Sequence, residues 1–323
     1  MTARVRVPAS SSNLGAGFDC IGVAVDRWLV ASVTPAATPG ISIRRGGRLT
    51  AVSVAFEQDL LARGFRAACG AVGAPATGAA IEATSDIPVG CGLGSSAAAI
   101  VAGVLLADAA LELNLSRHQI VEIAAAIEGH PDNVAPAVYG GAVLSVRTSS
   151  GLVSTPLSVA GSLELLLAVP PFPSDTKAAR AVLPQTLPHS DAVLAASRAA
   201  ALVQGLSTGD GALLGAALDD VLHVPFRRGR IPGYDAVVAA ALDAGAFGAT
   251  LSGAGSAILA IALRERSSAV GAAMIAAWRE VGVAAELINC SSPVAGATVI
   301  TSPDTPHLSP LTSHASSVMK ELL

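Results

Sequence analysis

The stretch IPVGCGLGSSAAA, Ile87 to Ala99, carries the strongest local signal in the chain. A strand-like run ends at Pro88, glycines 90, 92 and 94 let the backbone turn, and a run of small helix formers opens at Ser95 and Ser96. A glycine turn feeding a helix start leaves backbone amides unpaired beside the positive end of the helix dipole, which suits a phosphate. The serine hydroxyls add hydrogen bonds or a ligand for Mg2+. The lysine of a Walker loop is missing, and the third glycine comes one residue too early for G-x-G-x-x-G, with Asp108 in mid-helix. Taken alone, these residues also fit a glycine turn that caps a buried helix and holds no ligand.

On either side the pattern alternates between strands and helices. Upstream, Arg4 to Pro8, Ile21 to Val33, Ile41 to Arg45 and Ala79 to Ile87 read as strands, and Leu60 to Val72 as a helix. Downstream, Ser95 to Leu113 is helical and apolar on most sides. Ser116 caps a second helix running to about Ile127, with Gln119 in the capping-box position. Gly140 to Val146 returns to strand. The segment Thr148 to Gly161, rich in Ser, Thr, Gly and Pro, reads as the boundary between two units, 1–155 and 156–302. The second unit has strands at Leu163 to Val169, Ala249 to Leu251, Ala257 to Ala262 and Ala284 to Ile288. Its helices fall at about Ser190 to Leu206, Asp210 to Val221, Tyr234 to Ala244 and Ala269 to Val281. The fold class is α+β, and residues 303–323 form a polar tail.

Composition narrows the function. With 52% hydrophobic and 14% charged residues over 323 positions the chain builds large cores, and a net charge of −4 without any basic run argues against a nucleic-acid partner. The mean hydropathy of +0.59 reflects alanine. The longest apolar run, Ala97 to Ala107, is too short to cross a bilayer, so no membrane partner is expected. The opening MTARVRVPASSS lacks the apolar core of a leader, and Cys20, Cys69, Cys91 and Cys290 are scattered, so reduced thiols in the cytoplasm are expected.

The glycine stretch resembles the phosphate loop of the GHMP kinases, named for galactose, homoserine, mevalonate and phosphomevalonate. GATLSGAGS, Gly248 to Ser256, is similar to their third motif, with Ser256 where the family commonly has proline. VPASSSNLGAGFDCIG (Val7 to Gly22) and EGHPDNVAPAVYGG (Glu128 to Gly141) resemble the homoserine kinase branch in particular. This resemblance implies the two-domain GHMP fold with its active site in the cleft between domains. It also implies ATP and Mg2+ as cofactors, L-homoserine as substrate, O-phospho-L-homoserine on the route to threonine as product, and a homodimer. A GHMP kinase for another small alcohol such as mevalonate, or a non-catalytic binding protein of the same fold, are the rival readings.

The same resemblance assigns residues. The nucleotide falls to Pro88, Val89, Gly90, Cys91, Gly92, Leu93, Gly94, Ser95, Ser96, Ala97 and Ala98, with Gly253 and Gly255 from the late turn; Cys91 itself reads as incidental. Mg2+ falls to Ser96 and Glu128, with Glu122 as the alternative glutamate. The substrate's ammonium falls to Asp19 with Asn13 beside it, and its carboxylate to Thr176, Arg180 and Arg227, with Arg228 as the alternative register. His189 reads as a helix start. His130 and Asn133 sit where the hydroxyl approaches. In the mevalonate-type sisters an aspartate shortly before a Gly-Gly pair takes the hydroxyl proton. Here Asn133 occupies that position and Asp132 lies one residue off, so Asn133 is expected to orient the hydroxyl with no carboxylate base.

Overall fold

Val5 and Val7 alternate with Arg4 and Arg6, and this period of two places the valines in the core and the arginines toward solvent. A computed structural model describes residues 2–38, 40–74, 78–290 and 294–300 of the chain. The first strand, β1, runs over Ala3–Asn13, well past Pro8, because Ser10, Ser11, Ser12 and Asn13 continue it as a polar run buried on both faces. The elements that follow in the first half are β2 (Gly17–Pro35), β3 (Ile41–Gly47), α1 (Leu60–Ala71), β4 (Ala79–Ser85), α2 (Ser95–Leu111), α3 (Arg117–Glu128), α4 (Val134–Tyr139), β5 (Ala142–Thr148) and β6 (Gly151–Leu157). Ser116 and Gln119 form the reciprocal capping box that the sequence predicts for α3.

The second half contains β7 (Leu163–Val169), α5 (Thr176–Ala181), α6 (His189–Thr208), α7 (Gly211–Leu218), α8 (Val224–Arg227), α9 (Tyr234–Asp243), β8 (Ala246–Leu251), β9 (Ile258–Leu263), α10 (Ser267–Glu280), β10 (Glu286–Cys290) and β11 (Thr298–Ile300). Two sheets result. The first runs β11-β1-β2-β4-β3, with β5 on β2 and β6 on β5; the second runs β10-β7-β9-β8. The stretch read as a linker thus contains β6, which pairs with β5 as a hairpin through Leu157. Its Gly, Ser and Pro residues hid a strand whose Leu152 is buried and whose Val153 faces out. From beyond residue 156, β11 returns to pair with β1. The tail 303–323 lies outside the described residues.

All seven residues of β7 are buried. Leu163, Leu165 and Leu167 join the core under the first sheet, while Leu166 and Ala168 pack with α9 and α10 around Trp278. Strand alternation therefore ties both layers to one strand. Apart from Ala99, which lines the cavity described below, α2 is buried from Ala97 to Ala107 against α1, α3 and β1, and it carries the glycine loop at its N-terminus.

That loop is seated where only glycine fits. Gly92 has φ +81°, and a Cβ there would lie 2.2 Å from the Ser252 carbonyl oxygen; Gly94, at φ +60°, would place one 2.1 Å from Ser10 Oγ. Gly92→Ala is expected to destabilise the protein by more than the roughly 1–3 kcal/mol of left-handed strain alone, because backbone must also move. Urea unfolding checks this, and an unchanged midpoint would show that the two loops do not pack this closely.

Candidate active site

β4 delivers the chain to the loop, and positive φ at Gly90, Gly92 and Gly94 turns it into α2. Gly94 is the N-cap and has no side chain to occupy the first-turn amides of this 17-residue helix. Ser96 Oγ, in the first turn, donates to Glu128 Oε1 at 2.5 Å, joining the start of α2 to the end of α3. Burial holds the Glu128 carboxyl above its ordinary value, although the Ser96 hydrogen bond and His130 pull the other way.

A cavity of about 440 Å³ opens in front of this helix start, lined from both halves of the chain. Val89, Gly90, Gly92, Leu93, Gly94, Ser95 and Ser96 form its wall together with Gly253. Pro88, Cys91, Ala97, Ala98 and Gly255 lie behind that wall. Cys91 Sγ packs on the Pro170 and Phe172 carbonyls, and Ala97 and Ala98 point into the core. Ser256, at the family's proline position, is fully buried and donates to the Phe172 carbonyl at 2.5 Å.

Another part of the wall is charged. Asp19 accepts two hydrogen bonds from Arg180, at 2.6 and 3.0 Å, so the residues expected to hold opposite ends of a substrate are paired with each other. Asp19 has φ +58°, and its amide donates to Asn13 Oδ1, while Asn13 Nδ2 donates to the Gly253 carbonyl. Asn13 spends its amide inside the protein and fixes the loop that presents Asp19. Thr176 lines the cavity at the first turn of α5, which Asp175 caps. Arg227 is buried and also lines the cavity; its Nε donates to the Ala179 carbonyl and its Nη1 to the Gly253 carbonyl, contacts that leave Nη2 unused. Arg228 is exposed and pairs with Asp235, and Glu122 faces a separate small hollow beside His118, so neither alternative reaches the cavity. His189 is exposed at the start of α6.

His130 and Asp132 form a pair at 2.6 Å. Burial disfavours the charged imidazole, but the Asp132 hydrogen bond and the charges of Asp132 and Glu128 outweigh it and raise the His130 pKa. Asn133 Oδ1 accepts from Ser10 Oγ and its Nδ2 donates to Ser12 Oγ, both at 2.9 Å.

Residues 59–141 match the GHMP kinases N terminal domain and residues 199–284 the GHMP kinases C terminal region. The homoserine kinase of Trichormus variabilis is 40% identical over 294 residues, covering 91% of this chain and 97% of that protein. That of Gloeobacter violaceus is 42% identical over 279 residues, covering 85% and 92%. The crystal structure of homoserine kinase from Cytophaga hutchinsonii superposes with a TM-score of 0.84 at 31% identity, covering 93% and 97%. The chain belongs to the homoserine kinase family of the GHMP kinases. The mevalonate kinase of L. major, at 19% identity and a TM-score of 0.65 over 90% of this chain and 96% of that one, shares the fold.

Two parts of this homoserine kinase family cavity were not read from the sequence. The first is an apolar wall of Leu49, Val52, Val54, Leu60 and Leu61, edged by Arg45 paired with Asp59, the N-cap of α1. The exposed Val54 beside Phe56 was the available signal, since clustered exposed apolar groups mark a binding surface. The second is His223, fully buried behind the charged wall and stacked on Phe18 at 4.9 Å. Its Nε2 lies 3.2 Å from the Gly15 carbonyl oxygen, which only accepts, so the proton sits on Nε2. Its Nδ1 is then free to accept from Arg227 Nη1 at 3.3 Å. Asp220 holds the turn by accepting from the amides of Leu222, His223 and Val224. His223 thus links the Asp19 loop to Arg227.

Burial is the main cause that lowers the His223 pKa from 6.5 to about 4. The unfolded state therefore takes up this proton first, and stability is lost as pH falls from about 6.5 toward 4. In His223→Asn that part of the pH slope is expected to vanish. Unfolding free energies measured at several pH values test it, and an unchanged slope in the variant would remove His223 as its source.

Proposed function

We propose that this cavity transfers the γ-phosphoryl group of ATP to the side-chain hydroxyl of L-homoserine, giving O-phospho-L-homoserine and ADP on the route to threonine. The observation that carries the reading is one cavity joining a glycine-rich helix start to a carboxylate and two guanidiniums. Kinship with homoserine kinases over most of the chain supports it. The apolar wall takes the nucleobase, and the amides at the start of α2 take the phosphates. Asp19 receives the ammonium, while Arg180, Arg227 and Thr176 receive the carboxylate and aim the hydroxyl. A homodimer in the cytoplasm is the setting that goes with this function.

Mg2+ fits the residues present. Ser96 Oγ and Glu128 Oε1 are hard oxygen donors 2.5 Å apart beside the phosphate site, and Mg2+ takes few protein ligands when phosphates supply the rest. When bound, the ion would neutralise phosphate charge. Glu128→Gln is expected to raise the Mg2+ concentration needed for half activity, whereas Glu122→Gln leaves it unchanged. The reverse order would overturn the assignment.

Neither residue at the position of the sisters' base is free to take the proton. Asp132 is buried and bound to His130, and the Asn133 amide is held by Ser10 and Ser12 and cannot take a proton near neutral pH. Asn133 orients the hydroxyl, whose proton leaves late to a phosphate oxygen; a loose transition state asks little activation of the nucleophile. Removing a true general base costs on the order of 10²–10⁴ in rate. Asp132→Asn is expected to cost clearly less than that in kcat, and a larger loss with both KM values intact would make Asp132 the base. The function itself is tested by phosphorus NMR of the protein with Mg2+, ATP and L-homoserine. A new phosphomonoester resonance is expected, and its absence counts against the reading.

A further inference from the structure

The Asp19–Arg180 pair crosses the cavity from the start of β2 to the last turn of α5, and both side chains are a little over one third exposed, at 37% and 38%. Asp19 is held by its own backbone in the Asn13 loop, and the Arg180 guanidinium lies 5.8 Å from the Phe18 ring. Neither group has another charged side chain within salt-bridge distance among the described residues. We propose that this ion pair is a selector for zwitterions: a ligand enters by replacing the pair, and only one that carries both charges leaves neither Asp19 nor Arg180 without a partner.

The accounting needs only charges. A zwitterion converts one pair, Asp19 with Arg180, into two, Asp19 with its ammonium and Arg180 with its carboxylate. A ligand with only an ammonium gains one pair and loses one, leaving the guanidinium without a partner inside the cavity. A ligand with only a carboxylate gains Arg180 and, like the zwitterion, the contact with Arg227, but leaves Asp19 without a partner. Because the pair is partly open to solvent, breaking it costs little, so it does not obstruct the matched ligand. Discrimination then arises from competition within the protein as well as from contacts to the ligand. This inference rests on the reading of L-homoserine as substrate and assigns the origin of its selectivity.

The consequence is a crossover in ligand preference, which simple loss of contacts does not give. Calorimetric titrations of the full chain would use L-homoserine, L-homoserinol (the carboxylate replaced by a hydroxymethyl group) and 4-hydroxybutyrate (the ammonium removed). The unaltered protein is expected to bind homoserine at least about tenfold more tightly than either analogue. In Arg180→Gln, Asp19 is freed: homoserine weakens about tenfold while homoserinol binds about threefold more tightly than to the unaltered protein. In Asp19→Asn, Arg180 is freed and 4-hydroxybutyrate improves in the same way. Arg180→Lys, which keeps the charge and loses the two-point contact, falls between and serves if a neutral variant does not fold. Equal weakening of all three ligands in each variant would overturn the selector, since the pair would then only hold the loop and helix in place. Absence of homoserine phosphorylation by the unaltered protein would overturn the functional reading itself; intact phosphorylation without the crossover overturns the selector alone.

Discussion

Three chain segments distant in sequence meet under the helix start through buried hydrogen bonds, and the positions of Asn13, Asn133 and Arg227 follow from that meeting. Ser252 Oγ donates to the Gly92 carbonyl at 2.5 Å and lies 2.8 Å from Ser11 Oγ. The Gly253 amide donates to the Ser12 carbonyl, the Ala257 amide to that of Cys91, and the Ser10 amide to that of Leu93. Each such bond is worth only about 1 kcal/mol net, but leaving a buried member unpaired costs about 1–3 kcal/mol, so the set holds together or not at all. Gly92 is required because the Ser252 and Gly255 backbones approach too closely for a Cβ.

From this seam the charged groups are placed in turn. The Gly253 carbonyl accepts from Asn13 and from Arg227, so the turn that supports the phosphate loop also fixes the Asp19 loop and one guanidinium. His223 closes the circuit from Arg227 back to Gly15. Ser10 and Ser12 hold Asn133 from the other side. A strand of polar residues would be a poor core; here its hydroxyls are the fixed points on which the site is built. Asn13, Leu14 and Asp19 all have left-handed φ, a conformation that persists only where the surroundings impose it.

Much of this was legible in the sequence. Strand and helix periodicity located β7 and α1 closely, and the Ser116 cap was readable because its partner lies three residues away. The glycine spacing of residues 90 to 94 marked the turn into α2, while its assignment to phosphate came from the family resemblance. What escaped was set by distant contacts. The first strand reads as ending at Pro8 because the partners of Ser10 and Ser11, Asn133 and Ser252, lie more than 100 residues away. β6 was masked by turn-like composition, and the apolar wall around Leu49 and Val52 falls in a segment without periodicity. The family resemblance assigned Asp19 and Arg180 to opposite ends of a ligand; only coordinates show them holding each other. His223 carried no motif, and its meaning came from the Gly15 carbonyl beside it.

The account stands on a cavity that accepts the hydroxyl of an amino acid of homoserine's length and charge. Steady-state ADP release by the full chain, compared across L-homoserine, L-serine, L-threonine and mevalonate at equal Mg2+ and ATP, tests this most directly. The account predicts kcat/KM highest for L-homoserine, with mevalonate close to background because it brings no ammonium to Asp19. A rate with mevalonate equal to or above that with L-homoserine, or no stimulation of ADP release by any of the amino acids, would contradict it.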